Sequence, residues 1–338
     1  MTNLREGLAQ HLQSQWYAAR APWFLLPLSG LFSAAAALRR LLYTHSVLAS
    51  IRLPTRIVVI GNVAVGGSGK TPLVAWLAKR LSAENVKVGI VTRGYGGRNR
   101  EPHRVNPGAT VTDSGDEALW LARTTGVPVV AGRDRVAAAR LLIEGSGPDI
   151  ILSDDGLQHY RLERDLEIVA VDTERGFGNG ALLPAGPLRE PAKRIGWAGA
   201  VVLKGNGNPH QLPPGPPVFR MRYELADAVS LDDGETQPLA AFRATPVRAL
   251  AAIADPESFF TALERAGLDV ERHPLPDHAP IAEAVRTLPV DRPLLMTDKD
   301  AVKLADAPAH AWRVPLAIAF TVPEAAALLT LVRGANIL

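Results

Sequence analysis

The run Gly61-Asn62-Val63-Ala64-Val65-Gly66-Gly67-Ser68-Gly69-Lys70-Thr71 joins an apolar, β-branched stretch (56–60) to an amphipathic one (72–81). Small residues let backbone N–H groups converge on an anion, and a helix beginning there adds a favourable dipole. This is the strand–loop–helix setting of a phosphate-binding P-loop. In it Lys70 reaches the β/γ-phosphates of a nucleotide and the Thr71 hydroxyl ligates Mg²⁺. The pattern G-x-x-x-x-G-K-[ST] asks for glycine where Ala64 stands; Gly66 and Gly67 supply the flexibility instead. A glycine-rich turn with an incidental lysine would match the loop without matching both flanks.

Two carboxylates, Asp154 and Asp155, open Asp-Asp-Gly-Leu-Gln-His one residue after the apolar run 150–152. At the end of a buried strand they stand where a Walker-B acid approaches Mg²⁺, directly or through water. Without a P-loop nearby they would read as an Asp-Gly turn. Asp113, Asp116 and Glu117 precede a helical pattern, where carboxylates commonly cap the helix. The chemical alternative is that one acid binds metal and another takes a proton from a substrate hydroxyl. His278, in the proline-framed loop 274–280, reads more readily as a structural or solvated histidine, and Arg189-Glu190, in the stiff loop 182–191, equally well as a surface turn. A GTPase is disfavoured: Ser153 takes the first place of its D-x-x-G, and Thr297-Asp298-Lys299-Asp300 carries its lysine one place late.

The elements that must position these groups alternate. Apolar runs at 86–92, 127–131, 149–152, 166–172 and 199–203 read as strands, with helical patterns at 115–123 and 133–144. Such alternation implies an α/β fold with a mostly parallel sheet covered on both faces and sites at the strands' carboxyl ends. After a proline- and glycine-rich boundary at 206–217, residues 218–225 alternate like a half-exposed strand. A turn at 232–235 then leads to another extended piece ending at Phe242. We expect a β-ribbon there, joining a second, smaller α/β lobe with a helix at 256–266, strands at 294–296 and 315–320, and a closing helix at 323–333. The expected division is an amino-terminal segment 1–50, a P-loop core 51–217, the ribbon 218–243 and the smaller lobe 244–338.

The 338 residues are 47% hydrophobic and 21% charged, enough apolar content for a sizeable core. There is no cysteine, which excludes disulfides, zinc–thiolate sites and thiol nucleophiles. A net charge of +3 is too small to argue for nucleic acid. One segment is an outlier: residues 21–38 carry no charge, with Trp16, Tyr17 and Trp23 at their start and Arg39-Arg40 after them. This suits a membrane-associated or single-span helix, although Pro27 and Ser29-Gly30 should weaken a straight one. A core helix and a signal peptide with Ala34-Ala35-Ala36 at its cleavage site are the competitors. Arg39, Arg40, Arg52 and Arg56 favour a cytosolic body.

Taken in order, several motifs resemble the tetraacyldisaccharide 4′-kinase family, which phosphorylates a lipid A precursor. They are Gly61 to Pro72, Arg93-Gly94-Tyr95-Gly96, Gly115-Asp116-Glu117, Asp154 to His159, Leu183 to Glu190, Leu275-Pro276-Asp277-His278 and Thr297 to Asp300. The resemblance spans nearly the whole chain, with Leu157, Asp298 and Ala279 departing from the family's usual Phe, Glu and aromatic residue. It implies ATP and Mg²⁺ as cofactors and a P-loop NTPase-like kinase that makes lipid IVA from tetraacyldisaccharide 1-phosphate. Implied roles are Asp116 as general base with His278 tuning it, the smaller lobe folding over the larger. Lys70 would act on the phosphates, and Thr71, Glu117 and Gln158 on the metal, with Asp154 and Asp155 close by. Arg93, Tyr95, Arg189 and Glu190 would lie near substrate or phosphate. The implied setting is a monomer on the cytoplasmic face of the bacterial inner membrane, touching its lipid and no nucleic acid. A regulatory P-loop switch, a scaffold with a vestigial P-loop and a kinase for another membrane lipid are the rival readings.

Overall fold

The β-branched run before the P-loop forms the strand Arg56–Gly61, buried on both faces as an inner strand of a parallel sheet must be. The computed structural model describes residues 15–18, 20–207, 212–253, 255–277, 279–304 and 306–334. Its contacts divide the chain into two units, residues 1–70, 149–222 and 320–338, and residues 71–148 and 223–319.

In the first unit, Arg56–Gly61 pairs in parallel with Ile150–Asp154 on one side and Leu166–Asp172 on the other. Leu166–Asp172 pairs with Ala200–Lys204, and that strand with Val218–Leu225, again in parallel. Parallel strands release their chains at one edge, so the register Ile60↔Asp154 brings the P-loop and Asp155 out side by side. Val63, Leu157, Val169, Phe177, Leu188 and Val201 form a buried cluster under this edge.

In the second unit, Val88–Thr92 runs parallel to Val129–Ala131, which also pairs antiparallel with His103–Arg104. The helices Asp116–Thr125 and Arg135–Ser146 belong here, and Asp134 caps the latter by accepting from Val136 and Ala137 N–H. A six-stranded sheet follows, in the order Thr236–Gln237, Ala228–Ser230, Ala311–Val314, Leu294–Thr297, Val247–Ala251, Val270–Pro274. Strand alternation splits its core. Ala249, Ala251 and Leu295 pack with Phe259, Phe260 and Leu263 of the helix Pro256–Arg265, whereas Leu250, Leu294 and Met296 pack with Ile281 and Val285.

Two sequence expectations change. Residues Leu239–Ala244 form a 3₁₀ helix, not an extended piece, because Pro238 lacks an N–H and holds φ at −59°, ending the pairing begun by Thr236–Gln237. In the amino-terminal segment Pro27 starts a helix instead of weakening one: Leu26–Thr44 places it in the first turn, where its missing N–H costs nothing.

That helix is the one stretch among the described residues long and apolar enough to cross a membrane. Its less exposed positions are Ser29, Ser33, Ala36, Arg40, Leu42 and Tyr43, and all but Leu42 recur at helical spacing as one stripe. Along the stripe Ser29 Oγ donates to Leu182 O (2.8 Å), Arg40 stacks on Trp197 (4.7 Å) and Tyr43 lies 5.8 Å from Tyr160. Trp23, Phe24, Leu28, Leu31, Leu38 and Leu41 are exposed.

Candidate active site

The P-loop leaves its strand at a position that tolerates no side chain. A Cβ on Gly61 would lie 2.5 Å from Leu157 Cβ. Further along, Gly66 (φ 121°) and Gly69 (φ 81°) take left-handed backbone that other residues avoid. The loop leans on residues 182–191: Val65 N–H donates to Pro187 O (2.8 Å) and Arg189 N–H to Val63 O (2.7 Å). Ala64 forms an isolated bridge with Leu188, so position 64 is set by this wall and needs no glycine. Ser68 Oγ and Asn62 Oδ1 are buried without a hydrogen-bond partner among the described residues. A buried hydroxyl of this kind needs an acceptor, and a phosphate oxygen supplies one.

The charges at this edge are layered. Lys70 Nζ lies 3.7 Å from Asp155 Oδ1, and Arg189 Nη1 holds both Asp155 oxygens at 2.9 and 3.1 Å. Asp155 sits at φ 49°, a left-handed conformation that Asp tolerates better than most residues, while Asp154 is buried at the strand end. Gln158 donates to Asn62 O (3.2 Å) and Glu190 Oε1 (2.9 Å), and the Tyr160 hydroxyl donates to Glu190 Oε2 (2.5 Å). Burial, reinforced by the Glu190 charge, pushes the Tyr160 phenol up to about 12. Glu190 is thus a buried acceptor that orients Gln158, a task its sequence context did not reveal. Lys204, also absent from the sequence reading, pairs with Asp172 (2.9 Å) and donates to Gly67 O (3.4 Å), bracing the phosphate loop from below.

Thr71, one residue beyond Lys70, meets the second acidic group. Its Oγ1 donates to Glu117 Oε1 (3.4 Å), in the first turn of Asp116–Thr125. Asp116 is buried, and its Oδ1 accepts the Glu117 N–H (2.9 Å). Lys299 Nζ is 2.6 Å from Glu117 Oε1, and Lys303 Nζ is 3.9 Å from Asp116 Oδ2. Arg93 and the 59% exposed Tyr95 belong to a loop that meets the same helix start through Gly94 and Tyr95. Their loop approaches so closely that a Cβ on Gly115 would lie 2.0 Å from Tyr95 O. His278 lies outside the described residues.

The donor set suits Mg²⁺. No group of three or more His, Cys, Asp or Glu is arranged to hold a metal among the described residues. Mg²⁺ instead favours one or two carboxylates completed by nucleotide phosphates and water. The oxygens of Thr71 and Glu117 are hard ligands, and the Lys299 ammonium against Glu117 marks a place that accepts a cation. Lys299 and Lys303 went unassigned in the sequence reading. Their four-residue spacing beyond Thr297 was the available signal, obscured by comparison with a guanine-binding motif.

A family model described as tetraacyldisaccharide-1-P 4′-kinase matches residues 21–333. A tetraacyldisaccharide 4′-kinase of Alkalilimnicola ehrlichii is 48% identical over 299 residues, covering 86% of this chain and 87% of that protein. The enzyme of the same name from Nitrosococcus oceani is 42% identical over 323 residues, covering 95% and 94%. Among solved structures, LpxK from Aquifex aeolicus in complex with ATP matches with a TM-score of 0.77 and 30% identity, over 90% of this chain and 96% of that one.

Proposed function

The chain belongs to the tetraacyldisaccharide-1-phosphate 4′-kinase family, and we propose that it transfers the γ-phosphoryl group of ATP to the 4′-hydroxyl of a tetraacylated disaccharide 1-phosphate. The observation that carries this reading is the Asp116–Glu117 pair at a helix start, hydrogen-bonded through Glu117 to the residue that follows the P-loop lysine. Phosphoryl transfer needs positioning and charge neutralisation more than covalent help. The loop amides, Ser68 and Lys70 hold the phosphates. Thr71, Glu117 and Gln158 would hold Mg²⁺, with Asp154 and Asp155 as further candidate acids. When bound, the metal neutralises charge on the phosphate oxygens. Asp116 takes the proton of the sugar hydroxyl as that oxygen bonds to the γ-phosphorus and the bond to the β-phosphate bridge breaks. By the family resemblance, His278 would tune Asp116 as a base. Arg93, Tyr95 and Arg189 contact substrate or phosphate, and Glu190 acts through Gln158.

Membrane docking follows from the amino-terminal helix. The tie at Ser29 and the ring contact at Tyr43 lie 14 residues apart, so the helix is fastened along about 21 Å of the first unit. A helix held lengthwise in this way lies in the interface with its apolar face down and does not span the bilayer. The protein then works on the cytoplasmic face of the inner membrane, and the acceptor's acyl chains need not leave the lipid. Each CH₂ extracted into water would cost about 0.8 kcal/mol.

Purified protein with radiolabelled ATP and Mg²⁺ should label the disaccharide 1-phosphate and not other lipid acceptors. Asp116→Ala should lose most turnover while still binding ATP. Labelling of a different lipid, or near-normal turnover by that variant, would refute the substrate or the base respectively. Because the chain has no cysteine, a single cysteine at Arg20 gives the topological test. A membrane-impermeant maleimide applied from the periplasm should not reach it.

A further inference from the structure

The segment Thr297-Asp298-Lys299-Asp300-Ala301-Val302-Lys303 is built more heavily than a surface turn requires. Asp300 is fully buried, and its Oδ2 accepts from Thr297 Oγ1 (2.7 Å) and Ala252 N–H (3.1 Å). Its Oδ1 accepts from Lys303 Nζ (2.8 Å), which also donates to Ala252 O (3.1 Å). Held by these acceptors, and with its side chain only 5% exposed, the Lys303 ammonium stands 3.9 Å from Asp116 Oδ2. That distance is too long for a hydrogen bond. Lys303 therefore acts on Asp116 as a fixed charge, without itself taking up an acceptor lone pair.

Lys299 faces the neighbouring acid at hydrogen-bond distance, 2.6 Å from Glu117 Oε1. Two adjacent carboxylates at one helix start repel each other, and the helix dipole alone offsets only part of that. Two ammonium groups four residues apart, one to each acid, draw Glu117 and Asp116 to different sides.

We propose that this segment is a clasp for the acid pair. Lys303, anchored on Asp300, is a positioning residue that orients Asp116, and Lys299 is the counter-ion that orients Glu117. The clasp rests on the reading of Asp116 as the base.

A double-mutant cycle tests it, because residues acting through one another give non-additive effects. Lys303→Met with Asp300→Asn removes both members of the buried pair together, so neither is left charged without the other. In the Asp116 background it should lower kcat at least tenfold with the ATP KM changed less than threefold. In the Asp116→Asn background it should change kcat less than threefold. An equal loss in both backgrounds, or a loss in KM alone, overturns the proposal. If that double variant melts below the assay temperature, the parallel cycle of Lys299→Met with Glu117→Gln decides, since Lys299 is partly exposed (24%). Equal losses there overturn the clasp as well. Normal turnover by Asp116→Asn would instead remove the base assignment, and the proposal would fall with it.

Discussion

Gly115 offers the sharpest perturbation, because its two costs separate. It separates the short helix Val111–Ser114 from the helix that begins with Asp116, against the Arg93–Gly97 loop, at φ 85° and ψ 157°. That conformation is essentially reserved for glycine, so Gly115→Ala should lose about 1–3 kcal/mol of stability. The second cost is steric. The new Cβ would stand 2.0 Å from Tyr95 O and 3.2 Å from Gly94 C, against the 3.4 Å at which ordinary contact begins. Both obstacles are backbone, so the helix start and the loop must part by more than an ångström. A misplacement of that size costs on the order of 10²-fold in turnover. Gly126, at the other end of the same helix, supplies the control: its φ is 68° and nothing lies within 4 Å of a Cβ. Gly126→Ala should lose about 1 kcal/mol and keep its kinetics. The assay pairs urea unfolding with steady-state rates, varying ATP and lipid acceptor separately. Gly115→Ala should lower kcat and leave the ATP KM within about threefold, a shift of less than ~0.7 kcal/mol. If the two variants show the same turnover, the close approach of Tyr95 does not position Asp116 and the reasoning fails.

Three further outcomes follow from packing and charge. Gly61→Ala drives a Cβ to 2.5 Å from Leu157 Cβ and 3.0 Å from its backbone N; it should cost roughly 1–3 kcal/mol and raise the ATP KM, and an unchanged KM would refute the tight fit. Lys204→Met leaves the buried Asp172 without its ammonium and Gly67 O without that donor. Loss of roughly 3 kcal/mol and weaker ATP binding are expected, and unaltered melting and affinity would count against the brace. Hydrogen bonds from the Thr321 hydroxyl, then from Arg220 N–H, hold the Glu324 carboxyl below its ordinary value. A depressed carboxyl stabilises the fold at neutral pH and loses that contribution as pH falls through its lowered pKa. Glu324→Gln should therefore be less stable than the parent at pH 7, and the gap in urea midpoint should close on acidification. A gap independent of pH would show that the charge is not what matters.

The P-loop, the strand ends and the order of α/β elements were legible because their signals are local. A β-branched run, a glycine turn and a periodic apolar stretch each announce themselves within a few residues. Pro27 misled because proline is read as a breaker unless the first helical turn is known. Residues 239–242 misled because an apolar, alanine-rich run after Pro238 is equally compatible with strand and 3₁₀ helix. Glu190 looked like a loop acid beside Arg189, and only burial with Gln158 and Tyr160 shows it as an internal acceptor.

By itself, the sequence determined the chemistry on offer: a phosphate loop with its lysine and threonine, acids at strand and helix ends, no thiol, and the motif order of one lipid kinase family. The tertiary structure decided which charge meets which. Lys299 and Glu117 are 182 residues apart in the chain yet 2.6 Å apart in space. No periodicity carries information over that separation; only the pairing of strands and packing of helices brings such groups together. The same applies to Ala64, which looked like a missing glycine until its bridge to Leu188 showed a backbone held extended by the neighbouring loop.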